Sequence, residues 1–380
     1  MSETRGERVV VAMSGGVDSS VAAGLLAEQG YDVVGISLRL APERAQRSSS
    51  GCCSIEDFQD AGRVADAIGV AHYVFDMREE FEERVIRPFV GEYLAGRTPS
   101  PCILCNREIK FGLLHRKAAE LGAAKIATGH YARIDLTEGG YRLRRGRDLS
   151  KDQSYFLFEM GQRELARTLF PVGEMEKHDV RAHAARLGLP VAHKPDSQEV
   201  CFVADGRYAQ FVAQTAPDAV RAGRIRDESG NVLGEHVGVH AFTVGQRRGL
   251  GIAAPRPLYV RSIDARSGNV TVAERAALAC TGLMADGARW VRDRAEAPGA
   301  RVEAKIRHRH APAAATIVGL EGDLVELRFD EPQYAVTPGQ ASVFYRGDDV
   351  IGGAWITHGL PDGDERQAPR LRAEDSEPCA

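Results

Sequence analysis

One short stretch constrains this chain more than any other: residues 9–21, VVVAMSGGVDSSV. Val9 to Ala12 is a β-branched, apolar run, the pattern of a buried strand. Ser14, Gly15 and Gly16 turn the chain, and Val21, Leu25 and Leu26 then recur at helical spacing. A strand, a glycine turn and a helix together form a phosphate cradle. Glycine lets the backbone take positive φ and approach a ligand closely. Successive N–H groups of the turn and the helix N-terminus attract an anion. A Walker A loop needs a lysine in the turn, and this turn has none. Ser14, Ser19 and Ser20 supply hydroxyls, and Asp18 supplies a carboxylate. A carboxylate beside phosphates is repelled unless a cation lies between them, so Asp18 implies Mg²⁺.

The remainder of the first half alternates strands with helices. Strands are expected at 31–40, 72–76 and 125–128, and helices at 56–69, 79–95 and 106–121. The stretch 41–51, rich in Ser and Arg, reads as a loop near the ligand face, and 96–101, with two prolines, as an exposed loop. Alternation of this kind means a doubly wound parallel sheet, an α/β domain that binds ligands at the carboxyl ends of its strands. Leu38, Gly129 and His130 fall at such ends, beside the glycine turn. The domain is expected to continue through helices at 152–160 and 176–187 to residue 205. A small, mostly β central domain should occupy 206–285, after a helix at 208–214. Regularly spaced short strands from 301 to 356 indicate a C-terminal β-barrel over 286–360, and the polar, Pro-containing 361–380 a disordered tail.

Composition excludes some classes and leaves others open. The chain has 380 residues, enough for two or three domains, and a net charge of −4. Bulk charge therefore announces no nucleic-acid partner, and local clusters must carry that argument. Arg142, Arg144, Arg145 and Arg147 form one cluster, Arg247 and Arg248 a second, and Arg307, His308, Arg309 and His310 a third. The polar start, without an apolar core, reads as no secretory signal. No apolar run is long enough to span a membrane, so no membrane partner is expected. An odd number of cysteines, seven, then suggests a reducing, cytoplasmic setting in which thiols react or bind metal.

Cys102 and Cys105 follow the two-proline loop at a helix start, where a thiol is acidified, so either could act as a nucleophile near neutral pH. Cys201 lies much later, in DSQEVCF. A zinc site would need further ligands such as Cys52 and Cys53. A thioredoxin-type redox pair suits a sheet that already serves a nucleotide poorly. Cys102, Cys105 and Cys201 could also hold three irons of a 4Fe–4S cluster, leaving the fourth open for sulfur. Cys280 reads as a core residue and Cys379 as a tail residue.

The SGGVDS pattern resembles the PP-loop of ATP pyrophosphatases, which cleave ATP between the α- and β-phosphates and leave an adenylate on the substrate. Five other segments extend the likeness: 96–106 (GRTPSPCILCN), 127–131 (ATGHY), 151–156 (KDQSYF), 245–251 (GQRRGLG) and 336–340 (VTPGQ). Together they resemble the tRNA-specific 2-thiouridylase family over about residues 8–360. That resemblance implies replacement of the C2 oxygen of a wobble uridine by sulfur. Its ATP-binding positions fall on Ala12, Met13, Ser14, Gly15, Gly16, Val17, Asp18, Ser19, Leu38 and Gly129. Cys105 takes the nucleophile position and Cys201 that of the persulfide carrier. Positions that meet tRNA fall on Ser100, Pro101, Cys102, His130, Lys151, Asp152, Gln153, Arg307, His308 and Gln340. Implied partners are tRNA, a persulfide donor such as a cysteine desulfurase or relay protein, and a cellular disulfide reductant. Many family members carry Asp at the position of Cys102, which leaves the role of this thiol open. Competing readings are another PP-loop ligase, which needs no cysteine pair, an ATP-switched RNA-binding scaffold, and an iron–sulfur redox protein.

Overall fold

A computed structural model describes residues 6–40, 55–196, 200–203, 206–292 and 294–363. The loop expected at 41–51, Cys52, Cys53 and the tail from 364 lie outside the described residues. The chain lays down β1 (Arg8–Ala12), β2 (Asp32–Arg39), β3 (Ala71–Asp76) and β4 (Lys125–Ala127). A hairpin of β5 (Ala132–Thr137) and β6 (Gly140–Arg145) follows, then the short β7 (Thr168–Leu169). β3-β2-β1-β4-β7 form a five-stranded parallel sheet. Val9, Val10 and Val11 of β1 are wholly buried because helices cover both faces of this central strand. On one face, helices Val17–Glu28 and Lys177–Arg186 pack Val21 and Leu25 with Val180 and Ala184. Gly24 admits Leu187, whose Cδ1 lies 2.7 Å from where a Cβ would stand. On the other face, Ile103, Phe111 and Leu114 meet Val343 and Tyr345 from the C-terminal half.

Several helices differ from expectation. The one expected at 106–121 begins at Pro101, where a proline at the first helical position costs no hydrogen bond. It runs to Glu120 through a wide π-helical stretch, Cys105–Leu113. The helix expected at 152–160 is a single 3₁₀ turn, Ser154–Leu157.

The β5–β6 hairpin was not foreseen. It leaves the nucleotide domain and extends the C-terminal sheet through pairing of Leu143 with Val350. Its arginines are therefore committed to carboxylates. Arg144 meets Asp135 at 2.8 Å and Asp348 at 3.3 Å, Arg142 meets Asp349 at 3.3 Å, and Arg145 lies over the Tyr345 ring. Of this first basic cluster only Arg147 is exposed.

The central unit holds β8 (Gly223–Arg226), β9 (Val232–His236), β10 (Tyr259–Asp264) and β11 (Asn269–Ala273) in the order β10-β11-β8-β9. β12 (Ala279–Trp290), β13 (Arg301–Lys305), β14 (Ala313–Glu321), β15 (Leu324–Tyr334), β16 (Ala341–Arg346) and β17 (Asp349–Leu360) follow. Pairing of β12 with β17 closes these six strands into a barrel. The boundary expected at 285/286 falls inside β12.

The two-proline loop, expected to be exposed, is a junction of all three parts. Pro99, Ser100 and Pro101 are buried. Thr98 N–H donates to Pro338 O (2.8 Å), and Gln340 Nε2 donates to Thr98 O (2.9 Å) and Pro99 O (3.3 Å). Ile263 of the central sheet covers Gly96, and Gly339, at φ +88°, lets the barrel loop approach Thr98. An alanine at either Gly339 or Gly347 (φ +59°) bears a left-handed cost of roughly 1–2 kcal/mol. Only at Gly339 would its Cβ also strike protein, 2.9 Å from Thr98 N. Thermal unfolding should therefore show a larger fall in midpoint for Gly339→Ala than for Gly347→Ala; equal falls would contradict the tight junction.

Candidate active site

The glycine turn follows β1 at the carboxyl edge of the parallel sheet, as the alternation of elements implied. Met13 N–H donates to Ile36 O (2.8 Å), and Ser37 Oγ–H donates to Met13 O (2.7 Å). Ser37 Oγ also lies 2.8 Å from His72 Nε2, so β2 and β3 buttress the entry to the turn. Ser14 N–H donates to Ser19 Oγ (3.2 Å), and the Ser19 and Ser20 hydroxyls donate to Gly16 O. Gly15 sits at φ +73°, a conformation that favours glycine. Gly129, just beyond β4, lies so close to the helix start that an added Cβ would stand 2.6 Å from Ser19 N. Ala12, the 13–19 turn, Leu38 and Gly129 thus converge from the ends of three adjacent strands, β1, β2 and β4.

Asp18 is not an open metal ligand. Lys177 Nζ donates to both of its oxygens, at 2.7 and 2.9 Å, and Tyr131 OH donates to Oδ1 at 2.7 Å. Burial and the nearby Asp18 charge both raise the Tyr131 pKa, so this hydroxyl remains a donor. The cation that the carboxylate demanded is a lysine of the chain itself, and the residues present do not fit Mg²⁺ held by Asp18. Lys177 continues to Asp196 (2.8 Å), which also receives Lys151 (2.8 Å) and Arg181 (3.2 Å). Burial alone would raise the Asp196 pKa, but the hydrogen bonds from Lys151 and Lys177 outweigh it and hold the carboxyl below its usual range. Sequence reasoning missed Lys177, although it carried a signal. It opens helix Lys177–Arg186, where the helix dipole disfavours a cation, so it needed a compensating anion.

The expected tRNA-contacting residues separate into exposed and internal groups. Arg307 is exposed, as are Arg247, Arg248 and Arg309. Asp152 is buried: its carboxylate accepts from Gly146 N–H, Ser154 N–H and Ser154 Oγ–H, and its carbonyl accepts from His308 Nε2 (3.2 Å). The His308 ring lies 4.4 Å from that of Phe156, and Gln153 Oε1 accepts from Tyr131 N–H. Residues 152 and 153 therefore brace the site from within, while Gln340 braces the two-proline loop.

His130 is also buried. Lys110 Nζ lies 3.4 Å from its Nε2, and Thr128 Oγ1 lies 2.7 Å from its Nδ1. A lysine ammonium only donates, so Nε2 accepts and Nδ1–H donates to Thr128. Burial first, and then the Lys110 charge, push the His130 pKa well below its ordinary value, which leaves it neutral.

The fold brings two distant thiols into one apolar cluster. Cys105 is buried with Phe81, Phe89, Ile109 and Phe202, and Cys201 packs against the same group. Neither is held in a disulfide. The expected acidification at a helix start is overridden: burial pushes the Cys105 thiol up to about 11, and the positive charge of Lys110 only partly offsets this. Cys105 lies one turn inside the helix, beyond the first-turn N–H groups. Cys102, Cys105 and Cys201 do not form the ligand set expected for an iron–sulfur cluster. Among the described residues no group of three or more His, Cys, Asp or Glu side chains is arranged to hold a metal ion. Nor, among them, is any helix long and apolar enough to cross a membrane.

A parallel-sheet domain with a phosphate-binding turn, joined to a central β unit and a closed barrel, defines a nucleotide-binding HUP-type protein. A family model described as a tRNA methyl transferase HUP domain matches residues 7–205. Models of a PRC-barrel domain and an aminomethyltransferase β-barrel domain match 209–274 and 280–356. A tRNA-specific 2-thiouridylase MnmA of Geotalea uraniireducens is 51% identical over 363 residues, covering 93% of this chain and 96% of the relative. Proteins of the same name from Geobacter metallireducens and Heliobacterium modesticaldum are each 49% identical, covering 96% and 98% of this chain and 100% and 97% of their own lengths. The chain belongs to the tRNA-specific 2-thiouridylase MnmA family.

Only a thiolate alkylates, so a raised thiol pKa has a direct readout. Labelling of Cys105 by iodoacetamide in the nucleotide-free protein should accelerate about tenfold per pH unit above neutrality. A rate already on a plateau below pH 8 would contradict the burial effect.

Proposed function

We propose that this protein is an ATP-dependent tRNA-uridine 2-sulfurtransferase that converts the wobble uridine to 2-thiouridine. The observation that carries this reading is the pairing of the SGGVDS turn at the sheet edge with two thiols gathered in one apolar cluster. The names of the relatives speak of thiolation, whereas the domain descriptions speak of methyl transfer. An adenylating turn and two thiols suit thiolation.

The chemistry follows from the leaving group. The O2 oxygen of uridine leaves C2 poorly. In the proposed reaction it attacks the α-phosphorus of ATP, pyrophosphate leaves, and the oxygen becomes part of an adenylate. N–H groups of the turn and the Ser14 and Ser19 hydroxyls would meet the charge that builds on the phosphates. ATP would arrive with Mg²⁺ carried on its own phosphates, as part of the substrate. The base would be unstacked from the anticodon loop to reach the site. Exposed Arg247, Arg248, Arg307 and Arg309 suit the RNA backbone.

Sulfur would arrive as a persulfide on Cys201, from a desulfurase or relay protein. Its terminal sulfur attacks C2 and displaces AMP, leaving the base joined to Cys201 through a disulfide. The Cys105 thiolate then attacks Cys201 Sγ. The two cysteines form a disulfide, and 2-thiouridine departs with the sulfur and its electron pair. A cellular thiol reductant returns two electrons and reopens the pair. The cytoplasm supplies both the tRNA and this reductant. Because burial disfavours the Cys105 thiolate, the attack requires substrate binding or Lys110 to stabilise that anion.

The test is a single turnover with Cys105→Ser and Cys201→Ser. Each variant should lose 2-thiouridine formation by about a thousandfold or more, while still releasing pyrophosphate from ATP in the presence of tRNA. Full thiolation by either variant would overturn the cysteine cycle and leave sulfur delivery that needs no such pair.

A further inference from the structure

Lys194 belongs to none of the motifs above, yet its ammonium reaches the centre of the glycine turn. It donates to Gly15 O at 3.0 Å, to Asp57 Oδ1 at 2.7 Å and to Asp60 Oδ2 at 2.6 Å. Burial tends to lower its pKa, but the two carboxylates outweigh this and raise it, so the lysine stays charged. Helix Ile55–Ile68 lies directly on the turn: the Asp57 carbonyl oxygen is 2.3 Å from where a Cβ on Gly15 would stand.

The Gly15 carbonyl shares its peptide plane with the Gly16 N–H. In a trans peptide these two groups point in opposite directions. With the oxygen pinned on the Lys194 side, the Gly16 N–H faces the opposite side of the turn. Gly16 is extended (φ −96°, ψ 163°) and half-buried, and among the described residues its N–H has no protein acceptor. A peptide between two glycines rotates more easily than most, because neither flank carries a Cβ. Were it to rotate, a carbonyl oxygen would replace the N–H in front of an incoming phosphate. The freedom that lets the chain make this turn thus also leaves its polarity undefined, and a charge-assisted hydrogen bond, about twice as strong as a neutral one, removes that freedom.

We infer that Lys194 is a positioning residue for ATP cleavage: it fixes the Gly15–Gly16 peptide so that the Gly16 N–H is presented to the phosphates. The inference rests on the turn being the ATP site. Lys194 acts through orientation rather than charge. Its own charge is spent on Asp57 and Asp60, and Arg63 pairs with Asp60 at 2.5 Å. The N–H matters most when charge builds on the phosphates, so the loss falls on kcat.

The experiment compares steady-state pyrophosphate release from ATP and tRNA, with a persulfide donor and a thiol reductant present, in the wild type, Lys194→Met, Lys194→Arg and the triple variant Lys194→Met/Asp57→Asn/Asp60→Asn. Lys194→Met should lower kcat by about tenfold to a hundredfold with KM for tRNA unchanged. Lys194→Arg, which can still donate to Gly15 O, should retain more activity. The triple variant also removes the two negative charges that lose Lys194 and should recover thermal stability while remaining slow. Wild-type kcat in Lys194→Met, or recovery of kcat in the triple variant, would overturn the inference. A wild type that releases no pyrophosphate from ATP would instead overturn the ATP reading on which it rests.

Discussion

The glycine turn depends on being tied to residues 194–196 at two points. Lys194 holds Gly15 O directly, and Asp196 holds Asp18 through Lys177. Two ties on either side of a two-glycine turn leave it little freedom. The second continues to Lys151, so one ladder of alternating charges joins the phosphate turn, the start of helix Lys177–Arg186 and the residues just before the 3₁₀ turn. Lys177 is mostly shielded from water, and its pairs are therefore weakly screened. Removing one member of such a ladder leaves its neighbours partly buried and unpaired, which costs more than the pair contributed. Cys201 follows within a few residues in sequence, so the residues proposed to activate oxygen and to deliver sulfur are close neighbours along the chain.

A second constraint acts on the thiols. The helix bearing Cys102 and Cys105 starts at the two-proline loop, and that loop is gripped by the barrel through Pro338 and Gln340 and covered by Ile263 of the central sheet. The two β units therefore position the chemistry of the first domain. Burial of Cys105 protects the thiol from adventitious oxidation in the resting protein, but it also disfavours the thiolate. A thiol that is inert until its substrate arrives suits the proposed persulfide chemistry.

Much of this was legible in the sequence because the features were local. A β-branched run before Ser-Gly-Gly can only be read as a strand entering a turn, and the alternation of elements placed that turn at the carboxyl edge of a parallel sheet. What escaped was non-local. The arginines at 142–145 have the composition of an RNA-binding face, but Asp348 and Asp349, far along the chain, neutralise them. The two prolines suggested an exposed loop, but the barrel covers them. Asp18 called for a cation, and nothing local showed that Lys177 would supply it. Cys105 sits near a helix start, but its pKa is set by Phe81, Phe89 and Phe202, which arrive from two other segments.

The account turns on where the displaced oxygen goes, and that oxygen can be followed. A tRNA carrying ¹⁸O at C2 of its wobble uridine would be thiolated in a single turnover, and the products weighed by mass spectrometry. Adenylation followed by sulfur attack predicts one ¹⁸O atom in AMP and none in pyrophosphate or water. Label released to water, with unlabelled AMP, would contradict activation through an adenylate and with it the role given to the glycine turn.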